Sequence, residues 1–168
     1  EVLTRPEDID AAIALYGELE SAGWKAEKGT AVHAANAQGR FYSELLKHFC
    51  SVGRGQVVRF SIGERVAAMD LCIDNGKVVV ILKTTYDESV RQYSPSALMR
   101  YEEFLRWWTE AKFERIEFYG KTMEWHTRWT ADETQLFHAT AYRNRWIRTA
   151  HEGLVALRTP ESESVDGG

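Results

Sequence analysis

The chain has 168 residues, 44% of them hydrophobic and 12% aromatic, which is enough to build one domain around a real core. Its 21 Lys and Arg against 25 Asp and Glu leave a formal net charge of −4, which argues against a protein that grips a phosphate backbone. No run of about 18 apolar residues occurs, and the N-terminus lacks the basic-then-apolar layout of a signal peptide. The expectation is a soluble, cytoplasmic protein with no membrane span and no nucleic-acid partner. Cys50 and Cys72 lie in apolar surroundings without Cys-x-x-Cys spacing, so they read as reduced core thiols. The chain opens on Glu1 rather than Met, as a segment of a longer protein does.

From Asp8 to Ala22, Ile9, Ile13, Tyr16 and Leu19 fall on one stripe and Gly23 follows as a stop, which predicts a first helix. Trp24 to Ala37 has no period and reads as a connection. Phe41, Leu45, Leu46 and Phe49 predict a second helix, ended by Gly53 and Gly55. Three β-rich runs follow, Gln56 to Ile62, Val66 to Ile73 and Lys77 to Lys83. Gly63-Glu64 divides the first two. Asn75-Gly76 divides the second pair and points to a type I′ hairpin, so the three form an antiparallel meander.

A helix from Ser94-Pro95 to about Ala111 carries Leu98, Tyr101, Leu105 and Trp108 on one face, and Arg115 to Tyr119 reads as a short strand. Strand, helix and strand make a βαβ unit, which implies a parallel pair with a right-handed crossover. Gln135 to Tyr142 alternates as a further strand does. Asn144 then caps a last helix with Ile147, Ala150, Leu154 and Leu157 on one face. Thr159 to Gly168 is polar and Gly-ended, the composition of a disordered tail, so one domain is expected over 1–158.

Ser94 is a good N-cap residue and Pro95 suits the first helical position. A helix start just after a parallel-type strand seats phosphate well, because its unpaired N–H groups carry about half a positive charge. Small residues at Ser94, Ser96 and Ala97 permit close approach to the backbone, and Arg91 adds a cation; a well-made helix start without a ligand satisfies the same residues. Neither His-Glu-x-x-His nor a carboxylate cluster is present, and no metal is expected.

This order of elements resembles that of the GNAT acyltransferases, an α/β fold with a mixed sheet, a meander followed by a βαβ unit, and flanking helices. The strings "ESAGWKAEKGTAV" (Glu20 to Val32), "RFYSELLKHF" (Arg40 to Phe49), "VVVILKTTYDESVRQYSPSALM" (Val78 to Met99) and "YGKTMEWHTRWT" (Tyr119 to Thr130) resemble the GNAT-fold family associated with cellulose and exopolysaccharide biosynthesis, related to the Fem-type transferases. That family usually continues its Ser-Pro with Gly, where this chain has Ser96; Gly120 matches its Gly after the strand.

The resemblance implies acetyl-CoA or another acyl-CoA as donor, its pantetheine arm against Leu82, Lys83 and Thr84 and its phosphates near Arg91, Ser94, Pro95, Ser96, Ala97 and Leu98. It implies a small-molecule or saccharide acceptor, with a second GNAT-like domain in the full-length protein as a further partner. A non-catalytic GNAT-like scaffold, or half of a Fem-type aminoacyl transferase, stands as the alternative.

Asp87 and Glu88 at the mouth of the strand fit a general base or a solvated acidic loop. Lys83 fits a phosphate, a carboxylate or an ion pair with Asp87. Asp70 fits a substrate cleft or a wet sheet face. His126 follows the strand where GNAT enzymes often keep a proton donor, and it also reads as a bystander. Tyr119, Trp125 and Trp129 fit an aromatic wall for a sugar or acyl chain, or core packing.

Overall fold

The computed structural model describes residues 1–21, 32, 36–135, 137 and 140–158, the side chains of 155–158 excepted. The chain separates into two compact units, Glu1–Arg128 and Trp129–Gly168, dividing inside the span expected to be one domain.

The first unit holds β1 (Val2–Leu3), α1 (Ile9–Ser21), α2 (Ala37–Ser51), β2 (Gly55–Ile62), β3 (Arg65–Asp74), β4 (Val78–Tyr86), α3 (Pro95–Thr109) and β5 (Arg115–Phe118). The five strands form one sheet in the order β1-β2-β3-β4-β5, antiparallel except for the parallel pair β4 and β5. The meander and the βαβ unit are therefore as expected. β1 was not foreseen, because two residues are too few for a period to register.

Helices cover both faces. Ile9, Ile13 and Tyr16 of α1 and Leu46 of α2 pack with Val57, Met69 and Leu71 on one side of the sheet. At Gly55 the sheet meets the end of α2 so closely that a Cβ would lie 2.7 Å from the Cys50 backbone nitrogen. Across the sheet, Trp107 of α3 packs with Cys72, Val79 and Ile81, flanked by Phe104, Phe113, Ile116 and Phe118. Truncating a buried Trp of this kind costs about 3–5 kcal/mol. Both cysteines are free and buried; burial pushes the Cys50 thiol up to about 11 and Cys72 well above its ordinary value.

The structure corrects the expected face of α3. Leu98, Tyr101, Leu105 and Trp108 are 46–74% exposed, whereas Met99, Arg100, Glu103 and Trp107 are only 1–2% exposed. Hydrophobicity chose the wrong stripe because the central strand offers a charge for α3 to meet. Asp70 of β3 is fully buried and takes an ion pair from Arg100 at 2.7 Å. Burial first, and the neighbouring Asp70 second, push the Glu103 carboxyl well above its ordinary 4.5.

The turns also differ from expectation. At Asn75-Gly76 only Gly76 has positive φ, 89°, so the turn is not type I′. The Asp74 carboxylate accepts from the Gly76 N–H, and the Asn75 side-chain oxygen accepts from the N–H groups of Lys77 and Val78. Gly63 has positive φ and Glu64 does not, as a type II′ turn requires.

The helix α3 stops at Thr109 in a Schellman motif: Lys112 N–H reaches the Trp107 carbonyl, Ala111 N–H the Trp108 carbonyl, and Ala111 is left-handed at φ 46°.

In the second unit, α4 (Arg145–Arg158) is capped as expected, the Asn144 side chain accepting from Ile147 N–H at 3.0 Å. Gln135, Phe137 and Thr140 to Tyr142 are irregular rather than the expected strand; Leu136, His138 and Ala139 lie outside the described residues. So do most of the connection from Trp24 and the tail from Thr159. Among the described residues no helix is long and apolar enough to cross a membrane.

Two stability measurements follow from this architecture. Ala111→Gly removes a left-handed Cβ penalty from the end of α3 and is expected to raise stability by about 0.5–1 kcal/mol in urea unfolding; a loss of stability would contradict the Schellman assignment. Glu103 holds its proton in the native state at pH values where the unfolded chain has lost it. Its contribution is therefore complete below about 4.5 and is lost as pH rises through the folded value. Glu103→Gln is expected to stabilise the protein progressively more toward alkaline pH, and an advantage that does not change with pH would contradict a buried neutral carboxyl.

Candidate functional site

β4 sets the geometry of the site. It stays paired with β3 through Tyr86, but its parallel pairing with β5 covers only Val78 to Ile81, with one further bond from Tyr119 N–H to the Ile81 carbonyl at 2.9 Å. From Leu82 to Tyr86 the β5-facing edge of the strand has no strand partner among the described residues. At the start of that open stretch the register slips: Leu71 faces Lys83 while Cys72 faces Ile81, so Leu82 is the extra residue of a bulge. Bulges of this kind re-aim side chains and end pairing, often beside active sites.

The open edge leads through a 3₁₀ turn, Glu88–Tyr93, to the start of α3. Ser94 is exposed and left-handed there, at φ 49° and ψ 53°, and its hydroxyl caps nothing. The expected N-cap hydrogen bond is thus replaced by a strained backbone, doubly so because the residue before a proline resists helical angles of either hand. Ala97 and Leu98 N–H groups turn back to the Ser94 carbonyl and Pro95 has none, which leaves the Ser96 N–H free in the first turn. Pro95 is buried, Ser96 half-buried, and Arg91, Ala97 and Leu98 are exposed.

The acidic candidates are both held by arginine. Asp87 is buried, caps the 3₁₀ turn by accepting from Ser89 N–H at 2.9 Å, and pairs with Arg65. Burial alone would raise its carboxyl, but the Ser89 hydrogen bonds and the Arg65 guanidinium outweigh that and hold it below the ordinary range. The expected Lys83–Asp87 pair is replaced by this one, and Lys83 lies instead over the Tyr42 ring of α2, 5.8 Å from its centre. Asp70 faces neither a cleft nor water; the wet-face expectation fails because α3 covers that side of the sheet.

His126 follows β5 in a short turn. Its N–H donates to the Met123 carbonyl at 2.9 Å, and its Nδ1 accepts from Met123 N–H at 2.8 Å. The neutral ring therefore carries its proton on Nε2. Burial lowers the imidazole below its ordinary value, and the Arg100 charge lowers it further. The ring lies against Trp125, with centres 3.6 Å apart, and near Phe118 at 5.1 Å. Trp125 is half-buried and Tyr119 exposed, while Trp129 belongs to the second unit.

Sequence reasoning missed Arg100, Glu103 and Tyr42. Arg100 donates to Asp70 and, at 2.8 Å, to the Thr84 hydroxyl of the open edge. Charged residues in the middle of a helix read as its wet face, and only the acidic residue at the centre of β3 hinted otherwise. Among the described residues no group of three His, Cys, Asp or Glu side chains is placed to hold a metal ion.

Comparison with solved structures returns acetyltransferases. A possible acetyltransferase from Clostridium difficile 630 is 11% identical with a TM-score of 0.57, over 84% of this chain and 98% of that one. An aminoglycoside acetyltransferase from an uncultured soil metagenomic sample, in complex with sisomicin, is 12% identical with a TM-score of 0.58, over 86% and 95%. A ribosomal-protein-alanine N-acetyltransferase from Brucella melitensis biovar Abortus 2308 is 8% identical with a TM-score of 0.53, over 84% and 98%. At these identities the likeness shows the fold. Comparison with curated protein sequences returns no match. The family described as acetyltransferase (GNAT) domain matches residues 1–127, the βαβ unit and the His126 turn included, and the chain belongs to that family.

Proposed function

We propose that this protein transfers an acyl group from an acyl-CoA, acetyl-CoA foremost, to an amine or hydroxyl of a small molecule or saccharide. The observation that carries the reading is the course of β4, which outruns β5 and leads through Arg91 to a strained, exposed helix start. An open strand edge offers backbone hydrogen bonds to an amide-bearing arm, and a helix start with a cation beside it suits a pyrophosphate. Leu82, Lys83 and Thr84 fit the first role, and Arg91 with Ser94 to Leu98 fit the second. The strings that resemble the cellulose and exopolysaccharide family favour a saccharide acceptor and a second GNAT-like domain as partner in the full-length protein, and the composition suits a cytoplasmic location.

Bound acyl-CoA supplies the activated carbonyl that the acceptor attacks, with the thiol as leaving group. The protein then has to stabilise charge on oxygen and sulfur and move one proton. His126 offers its Nε2–H to that developing charge. Asp87 and Asp70, held by Arg65 and Arg100, serve by fixing the end of β4 and the α3 face rather than by touching an acceptor. Lys83, over the Tyr42 ring, and the exposed Tyr119 are the candidates to meet an acceptor.

Release of free thiol from acetyl-CoA, followed with a panel of amines, amino sugars and hydroxylated saccharides, tests the reading. His126→Ala is expected to lower kcat by about 10²-fold, the scale of losing one oxyanion donor. Burial and the Arg100 charge lower the imidazole, so the rate is expected to fall with acid only below pH 6.5, the ordinary imidazole value. Saturating acetyl-CoA is expected to stabilise the folded protein by about 2.7 kcal/mol at 100 times its Kd. The donor assignment fails if neither acetyl-CoA nor CoA shifts the thermal midpoint at millimolar concentration.

A further inference from the structure

Arg100 is buried where β3, the open end of β4, the end of β5 and the turn after it meet. It rises from the second turn of α3, donates to Asp70 on β3 at 2.7 Å and to Thr84 on β4 at 2.8 Å, and is 2% exposed. Its guanidinium carbon lies 5.0 Å from the centre of the Phe118 ring of β5 and 5.0 Å from that of Trp125. Both distances are within the reach of a cation–π contact, which strengthens on desolvation. Trp125 in turn carries His126 on its ring.

A buried ion pair stabilises a fold little compared with apolar residues of the same shape, so its use is better sought in what it orients. Here one planar cation touches the open end of β4, the end of β5 and the turn beyond it. We propose that Arg100, anchored by Asp70, is a positioning residue for acyl transfer: it is the base on which Trp125, and through it His126, is held beside the open edge of β4. The proposal rests on the reading that His126 takes part in transfer. Asp70 fixes the guanidinium on one side. Around the His126 ring, α3 contributes the charge of Arg100, β5 contributes only the apolar Phe118, and the turn itself carries Glu124 and Arg128, which pair with each other at 3.7 Å.

Lysine keeps the charge on Asp70 but, as a compact ammonium, does not reach Asp70, Thr84 and both rings at once. The test is therefore run on the whole chain as wild type, Arg100→Lys, and the charge-balanced double variant Arg100→Gln with Asp70→Asn, which leaves no unpaired buried ion if the single change unfolds. Glu103→Gln serves as a variant of the same cluster that leaves the stack intact. NMR reads the Trp125–His126 ring contact as a nuclear Overhauser effect and follows the His126 imidazole through a pH titration. The expected result is loss of the ring contact in both Arg100 variants and its retention in Glu103→Gln. In the double variant the His126 midpoint is also expected to move upward, with the acid limb of the transfer rate moving with it, while KM for acetyl-CoA holds and kcat falls. An unchanged ring contact and midpoint in the folded double variant overturn the proposal while leaving His126 its role. A His126→Ala variant that transfers at the wild-type rate overturns it from the other side, through the function assigned to His126.

Discussion

A carboxylate at the centre of a sheet, fully out of water, has to find a cation or give up its charge. Asp70 finds Arg100, and much of the first unit is arranged to make that possible. The pair draws α3 onto the sheet by its Met99-Arg100-Glu103-Trp107 face, so that Trp107 fills the space over Val79 and Ile81. The same guanidinium reaches Thr84 on the stretch of β4 that β5 does not cover. One interaction thus ties the hydrophobic layer under the sheet to the place where the strands part.

That place is where the proposed donor site lies. A parallel β4–β5 pair that closed along its full length would leave no backbone donors free, and a strand that led smoothly into α3 would not need a left-handed serine. The bulge at Leu82, the 3₁₀ turn capped by Asp87 and the strained Ser94 together carry the chain from a paired strand to an exposed helix start. Strain at a residue of this kind persists only where its surroundings over-determine it. Here Pro95 is buried below and Asp87 is locked by Arg65 behind.

Much of this architecture was legible in the sequence, and what was not has physical causes. The periods of α1 and α2 are strong because each has one buried and one exposed face, and the meander was marked by its β-rich runs and the glycine turns between them, although helices cover both its faces. Asn144 announced α4 through a cap that the structure retains. The face of α3 misled because four large apolar residues at helical spacing stand in water while an arginine and a glutamate are buried; periodicity counts side chains and cannot see a charge on another strand. Ser94-Pro95 was found as a helix start, but the cap chemistry usual for serine gave way to a backbone angle. Gln135 to Tyr142 alternates like a strand, yet its described residues pair with nothing strand-like. Of the proposed site, Ser94 to Leu98, Lys83 to Thr84 and His126 were named from motif and position. Arg100 was not, since no local pattern marks a residue whose meaning lies 30 positions away in Asp70.

The central claim is that an acyl-CoA lies along β4 beyond Ile81 and ends at the start of α3. The most direct measurement is an amide NMR titration of the whole chain with acetyl-CoA. The account predicts saturable shifts concentrated in Leu82 to Thr85 and in Arg91 to Leu98, Ser96 among them. Saturable shifts confined to other parts of the chain, or none at millimolar acetyl-CoA, would contradict it.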